Sequence, residues 1–228
     1  MVYFMFMRKI VSIIFVLILS NLCFGQSFQI NYSKAVKFIS LGKRIQAQVF
    51  IKRCDSKANK AKDYLKLARI YYSINNHDVK VHEYLLKAFR SASTAIEATQ
   101  TALAYRELIE SRSMVRHSLL KGLHKAKTLE DTFIIARAYK KLLNDNNYLN
   151  IILTRSKQYA KNLNDYIKLS DVSYREFSLP VHSERALQVC WKIANNREQW
   201  VALAKAYKRV GLTYKASRAL NRAKASLW

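Results

Sequence analysis

Apolar and small side chains recur along this chain at a fixed spacing of 34 residues, beginning at Tyr64. Within each unit, four of these positions follow one another at intervals of three, one and three residues, which places them on one stripe of an α-helix. The four columns are Tyr64, Ala98, Thr132, Tyr166 and Trp200; Leu67, Thr101, Ile135, Leu169 and Leu203; Ala68, Ala102, Ala136, Ser170 and Ala204; and Tyr71, Tyr105, Tyr139, Ser173 and Tyr207. A repeat of this length predicts stacked supersecondary units that share one core.

A second apolar series in each unit predicts a second helix that would form a hairpin with the first. Its members are Val81, Leu85 and Ala88; Val115, Leu119 and Gly122; Leu149, Leu153 and Ser156; and Leu187 and Cys190. In the last unit, Ala216, Leu220 and Ala223 come one position earlier, which predicts a shorter turn near Gly211. Pro180 would lie near the start of the fourth of these helices, with Ser178 as its cap. Alanine then recurs at Ala92, Ala126, Ala160 and Ala194.

Capping residues precede the first helix of four units. A Thr or Asn is followed three positions later by an acid or amide, so that its side-chain oxygen can accept an N–H of the first turn. The pairs are Thr94 with Glu97, Thr128 with Asp131, Asn162 with Asp165, and Asn196 with Gln199. They predict four helix starts at the same period.

These residues together resemble the tetratricopeptide repeat family over residues 59–228. The closest match is the last unit, with Trp200, Leu203, Ala204, Tyr207, Gly211, Ala216, Leu220 and Ala223. The alanine column stands where repeats of that family often close with proline. The resemblance implies an all-α, right-handed superhelical solenoid of five tetratricopeptide-like helical hairpins.

Residues 26–58 do not align with the repeat and are predicted to form an N-terminal helical cap. The apolar positions that favour one or two capping helices are Phe28, Tyr32, Ala35, Phe38, Leu41, Ile45, Val49 and Phe50.

Residues 1–25 have the pattern of a secretory signal peptide. Arg8 and Lys9 precede an apolar run that ends at Leu19, and cleavage would follow Gly25. An uncleaved membrane anchor is the alternative, but the run is short for a bilayer span of about 20 residues. Translation would begin at Met1 or at Met7, which opens the more ordinary Met-Arg-Lys sequence. We therefore expect a periplasmic or secreted protein, without a lipid anchor because Leu22 precedes Cys23.

The formal net charge of +25 favours anionic partners, although the excess is spread along the chain. Cys54 and Cys190 lie about four repeats apart, too far in a stack of hairpins for a disulfide. No histidine spacing, glycine loop or nucleophile motif indicates catalysis, so we predict a protein that is not an enzyme, with no cofactor and no metal site.

The first helix of each unit carries a second arc of residues beside its core stripe. In tetratricopeptide proteins the corresponding arc lines a concave groove that receives an extended peptide. We define the predicted groove face by the residues Arg69, Tyr72, Arg106, Arg137, Lys140, Lys141, Tyr174, Arg175, Lys205, Lys208 and Arg209. Guanidinium and tyrosine groups suit carboxylates and apolar side chains of a bound segment. The alternative is a solvated basic helix end that complements the helix dipole.

These features predict an exported scaffold that binds a segment of a partner protein, with acidic groups, in its concave groove. The alternative function is a basic binder of anionic polymer or membrane surface, such as lipopolysaccharide or phospholipid; nucleic acid is the least favoured ligand. Self-association is a third prediction, because Leu227 and Trp228 end the chain without the polar cap of most solenoids.

Overall fold

A computed structural model describes residues 28–75 and 79–226 of the chain. The predicted signal peptide, both candidate start residues, Cys23 and the terminal Leu227 and Trp228 lie outside these described residues. The chain divides into two compact units, Met1–Ala92 with Glu107–Ile109, and Ser93–Arg106 with Glu110–Trp228.

The described residues are almost entirely helical and contain no strand. The helices are α1 (residues 28–40), α2 (Arg44–Asp55), α3 (Ala61–Ile74), α4 (Val79–Ser91), α5 (Ala95–Ile109), α6 (Arg112–Lys125), α7 (Leu129–Leu143), α8 (Asn146–Ser156), α9 (Leu163–Arg175), α10 (Pro180–Ile193), α11 (Arg197–Arg209) and α12 (Thr213–Ala225). A short 3-10 turn, Lys157–Tyr159, follows α8. Consecutive helices pack in pairs, α3 with α4, α7 with α8, α9 with α10 and α11 with α12, which confirms the all-α helical repeat fold.

The four predicted columns form the core. Every member of the second and third columns is buried, as are Tyr105, Tyr139, Ser173 and Tyr207 of the fourth. In the first column Tyr64, Tyr166 and Trp200 are half-buried. The alanine column is buried as well, with at most 9% of each side chain exposed. The spacing of small and aromatic residues therefore predicted the contact surface between helices.

In two hairpins the small residue of the second helix lies against the first column of its own unit. A Cβ added to Gly122 of α6 would lie 3.2 Å from the Cβ of Ala98 in α5. In the next hairpin, the Ser156 hydroxyl donates to the Thr132 hydroxyl at 2.9 Å. Both pairs are 24 residues apart, and a larger side chain at Gly122 would crowd Ala98.

All four predicted helix caps are present. Thr94, Thr128, Asn162 and Asn196 each accept the backbone N–H of the residue three positions later. Thr128 with Asp131 and Asn162 with Asp165 form complete capping boxes.

Left-handed residues close the turns between the two helices of a hairpin. Glu110, Asn144 and Ser178 have φ of 52°, 50° and 57° and are spaced by 34 residues. In the last hairpin the left-handed residue is Gly211, with φ of 79°. It comes one position before the place that the 34-residue spacing would give, so the predicted shorter turn is confirmed. The assignment of Ser178 as a cap was wrong, because its backbone makes the turn and Leu179 is the N-cap of α10. Pro180 is the first residue of that helix, as predicted.

The helices α1 and α2 form a further hairpin with the spacing of the last one. Gly42 has φ of 70°, and the Lys43 N–H donates to the Phe38 carbonyl at 2.9 Å, as Leu212 N–H does to Tyr207. The buried positions Ala35, Ala47 and Cys54 have the same spacing as the buried Ala204, Ala216 and Ala223. Ile51 is also buried, but its counterpart Leu220 is 44% exposed. The prediction of Leu220 as a core position was therefore wrong, because the buried stripe of α12 runs through Ala216, Ala219 and Ala223.

Three of the apolar positions assigned to this N-terminal segment are not in its core. Leu41, Ile45 and Val49 are 56%, 79% and 48% exposed, because the buried stripe of α2 runs through Ala47 and Ile51 instead.

Candidate binding face

The predicted groove face consists of exposed side chains on the first helix of successive hairpins. Ten of its eleven residues are exposed and Tyr72 is half-buried. Arg69 and Tyr72 lie on α3 in the first compact unit, and the other nine lie in the second unit, on α5, α7, α9 and α11. The repeat positions therefore placed these side chains on the surface correctly. Their role in binding stays a prediction.

Ion pairs connect the first helices of neighbouring hairpins in the second unit. Lys168 on α9 donates to Glu130 on α7 at 2.7 Å, and Arg209 on α11 donates to both oxygens of Asp171 on α9 at 3.1 and 2.8 Å. Each pair spans 38 residues, which is one repeat plus about one helical turn. This separation brings charges of adjacent first helices side by side.

The most extensive of these links centres on Arg137. Its guanidinium donates two hydrogen bonds to the Glu176 carboxylate, at 2.7 and 2.9 Å, and a third to Glu130 at 3.2 Å. Its hydrogen bonds to Glu176 raise the pKa of Arg137, and the same contact lowers the pKa of Glu176. The Lys140 ammonium donates to the backbone carbonyl of Glu176. Glu176 therefore accepts hydrogen bonds from both Arg137 and Lys140, and the Arg137 guanidinium is held by acids within the protein.

Glu130, Asp171 and Glu176 are held in those links, and several cations of this face are not. Arg106, Lys141, Arg175, Lys205 and Lys208 are exposed, and within residues 28–75 and 79–226 none of them has a carboxylate partner. We call these five residues the unpaired cation set. Tyr174, beside Arg175 at the end of α9, is 37% exposed. This face can offer several charged donors and one aromatic ring to an anionic chain.

Among its described residues, the first unit has one ion pair on the corresponding face. Arg69 on α3 lies 3.5 Å from a carboxylate oxygen of Glu107, a long contact between side chains that are both about half exposed. Such a pair contributes little to stability because solvent screens it.

Sequence reasoning missed Glu176 and Lys168. Glu176 follows the last residue of α9, outside the arc drawn on the helix, and Lys168 lies two positions before the small residue Ser170. Opposite charges separated by 38 or 39 residues would have been the signal for both.

The two cysteines in the described residues are separate buried thiols. Cys54 and Cys190 are free and buried, and burial raises the pKa of their thiols to about 11 and about 12. Each thiol donates to a backbone carbonyl of its own hairpin, Phe28 and Leu163 respectively. His77 lies outside the described residues.

These observations define an all-α helical repeat protein with exposed cations on its first helices. No protein-family model matches the chain, and no curated protein does. Among solved structures, the human IFIT1 dimer with PPP-AAAA is matched at 14% identity and a TM-score of 0.31, over 87% of this chain and 55% of that chain. The chain thus spans about half the length of the IFIT1 chain.

Within residues 28–75 and 79–226, no helix combines the length and apolar character needed to cross a membrane.

Proposed function

We propose that this protein is an exported scaffold of the tetratricopeptide repeat family that binds an acidic segment of a partner protein on its first-helix face. It acts by binding and not by catalysis. The observation that carries the proposal is the unpaired cation set, because Glu130, Asp171 and Glu176 are held in internal ion pairs while these five side chains remain exposed.

The arrangement suits an extended chain better than a compact ligand. Lys141, Arg175 and Lys208 lie on three successive first helices, α7, α9 and α11, and Tyr174 lies between two of them in sequence. An extended peptide that crosses these helices would meet a cation at each one. Its apolar side chains could contact the Tyr174 ring, and charge-assisted hydrogen bonds would hold its carboxylates.

A photo-crosslinking residue in place of Tyr174 tests the proposal in the native envelope. The matched control is Tyr214 on α12, which is 73% exposed and lies outside the predicted groove face. We expect a protein partner to crosslink from position 174 and not from 214. The same adduct from both positions would contradict a localised binding face.

Charge variants of the purified protein then test the recognition. We expect Lys141→Gln, Arg175→Gln and Lys208→Gln together to weaken binding of the identified partner segment by about 100-fold, since each charged hydrogen bond is worth at least about 1 kcal/mol. The control variant removes three charges elsewhere, at Lys192, Arg222 and Lys224, which are all exposed. Equal losses in both variants would show that net charge, and not this face, selects the ligand.

The net charge supports a second candidate, a binder of anionic polymer or membrane surface. Salt separates the two functions, because counterion release makes polyanion binding fall steeply between low and physiological ionic strength. Heparin and vesicles of phosphatidylglycerol are suitable probes. A partner segment anchored at Tyr174 should lose much less affinity over the same range.

Export rests on residues 1–25 and is tested separately. N-terminal sequencing of the mature protein from the envelope fraction should begin at Gln26. Sequence that begins at Met1 or Met7 would overturn cleavage.

A further inference from the structure

We propose a second binding site, for a phosphate or sulfate ester, in a depression between α8 and α10 of the second unit. These are second helices of their hairpins, so the site is separate from the first-helix face. The depression has a volume of about 550 Å³ and is open to solvent. Its lining residues are Asn150, Ile151, Thr154, Arg155, His182 and Arg185.

The two charged side chains that line the depression are both arginines. Arg155 and Arg185 line it, and Lys157 follows immediately on the 3-10 turn. Glu184 precedes Arg185 but is held by the Lys215 ammonium of α12, so it does not neutralise the site. Within the described residues, neither Arg155 nor Arg185 has a carboxylate partner.

The donors present suit a tetrahedral oxyanion. Two guanidinium groups can each offer paired N–H donors to one oxyanion, and the Thr154 hydroxyl and Asn150 amide add neutral donors. The volume exceeds that of a free ion, and Ile151, which is 55% exposed, provides an apolar surface for the organic part of an ester. Both a soluble phosphomonoester and a lipid headgroup have this chemistry.

His182 responds to the same positive field. Burial, Lys157 and Arg185, in that order, lower its pKa below the ordinary value of 6.5. Its Nδ1 is buried and has no hydrogen-bond partner within the described residues, and the ring lines the depression. A bound anion would favour the protonated ring and raise this pKa. By linkage, anion affinity must then increase as the pH falls through the raised value, until it levels off below the pKa of the free protein.

Calorimetric titration with inorganic sulfate tests the site in the full mature chain, because sulfate stays a dianion over the range used. We expect millimolar binding at neutral pH, which weakens about tenfold in Arg155→Gln and in Arg185→Gln. The matched control is Arg222→Gln, which removes one exposed charge on α12 outside the depression. Thermal unfolding of all three variants checks that the fold is retained. No sulfate binding, or an equal loss in Arg222→Gln, would overturn the proposal.

The pH dependence gives an independent readout. Affinity for sulfate should rise from pH 7.5 to pH 5 by about tenfold for each unit by which the anion raises the pKa of His182. His182→Gln should bind sulfate with no such rise. If the affinity of His182→Gln for sulfate still rose as the pH fell, His182 would not be part of the site.

Two phosphomonoesters then identify the source of the ligand. Glycerol 3-phosphate is soluble, and phosphatidic acid in vesicles displays the same group at a membrane surface. Binding of both, lost in Arg155→Gln, indicates a lipid headgroup. Binding of the soluble ester alone indicates a soluble ligand. Failure of the groove variants described above would leave these results unaffected.

Discussion

Replacing Glu110 by glycine should stabilise the second unit, although glycine is usually a destabilising choice. Glu110 ends α5 with φ of 52° and ψ of 23°, in the left-handed region. Its side chain is exposed and has no ion pair within the described residues, so the substitution breaks no ion pair there. Only the backbone preference changes.

Two opposing terms set the magnitude. The left-handed conformation costs a residue with a Cβ about 1–2 kcal/mol. Glycine avoids that cost but loses about 0.4–1 kcal/mol more conformational entropy on folding. The net expectation is a gain of about 0.5–1 kcal/mol in the free energy of unfolding, equivalent to a rise in Tm of about 2–3 °C for a chain of this size. Asn144 at the equivalent turn should gain less, because asparagine tolerates this conformation.

Urea denaturation followed by circular dichroism measures the effect, with an unchanged m-value as the condition for comparison. The control is Gln100→Gly, an exposed position within α5, where glycine should cost about 0.5–1 kcal/mol. A midpoint that falls in both variants would show that residue 110 does not need the left-handed conformation and would refute the reasoning.

Three further predictions concern the second unit. Glu176→Gln should lose about 0.5–1 kcal/mol at pH 7 by urea denaturation, because Arg137 loses its bidentate partner. The pKa of Glu176 is lowered in the folded protein, so its contribution to the free energy of unfolding is complete above the ordinary value of 4.5 and is lost as the pH falls through the lowered pKa. If Glu176→Gln lost as much stability at pH 3 as at pH 7, this reasoning would be contradicted. Ala194→Pro should be less stable than Ala126→Pro by about 1 kcal/mol, because proline removes the Ala194 N–H that donates to the Cys190 carbonyl at 2.9 Å. Identical thermal unfolding curves for the two variants would argue against this difference. The Cys190 thiol, whose pKa burial raises to about 12, should react with iodoacetamide at pH 8 only through unfolding, so its labelling by mass spectrometry should accelerate with urea; rapid labelling in native buffer would exclude this protection.

The core could be predicted from the sequence because periodicity reports directly on burial. Ala68 and its counterparts had to be small wherever two helices approach, and their column is buried in every unit. The caps were predictable for the same local reason, since the Thr128 side chain and Asp131 are only three positions apart.

The turns and the N-terminal hairpin were harder to predict. Glu110 and Ser178 adopt the left-handed conformation without being glycine, so their residue types gave no signal. The hairpin of α1 and α2 was out of phase with a strict 34-residue count, because the turn at Gly42 is one residue shorter. Its period could be recognised only by comparison with the last unit and Gly211.

The candidate site was predicted as a surface but not as a set of interactions. The repeat placed Arg137 and Arg209 outside the core, and no local pattern showed that acids one repeat and one turn away would engage them. Composition alone also could not distinguish these engaged cations from Lys141 and Arg175, which are exposed without acid partners in the described residues.

The matching helix caps make whole units of this chain interchangeable in evolution. Excision of residues 129–162 would join Thr128 to Leu163, and Asp165 would then stand three positions after Thr128, where Asp131 stands now. Thr128 could cap α9 as it caps α7, so a gene that loses or duplicates this stretch would still encode a continuous array. Proteins descended from such events would differ in the length of the surface they present, while each remaining hairpin kept its own sequence.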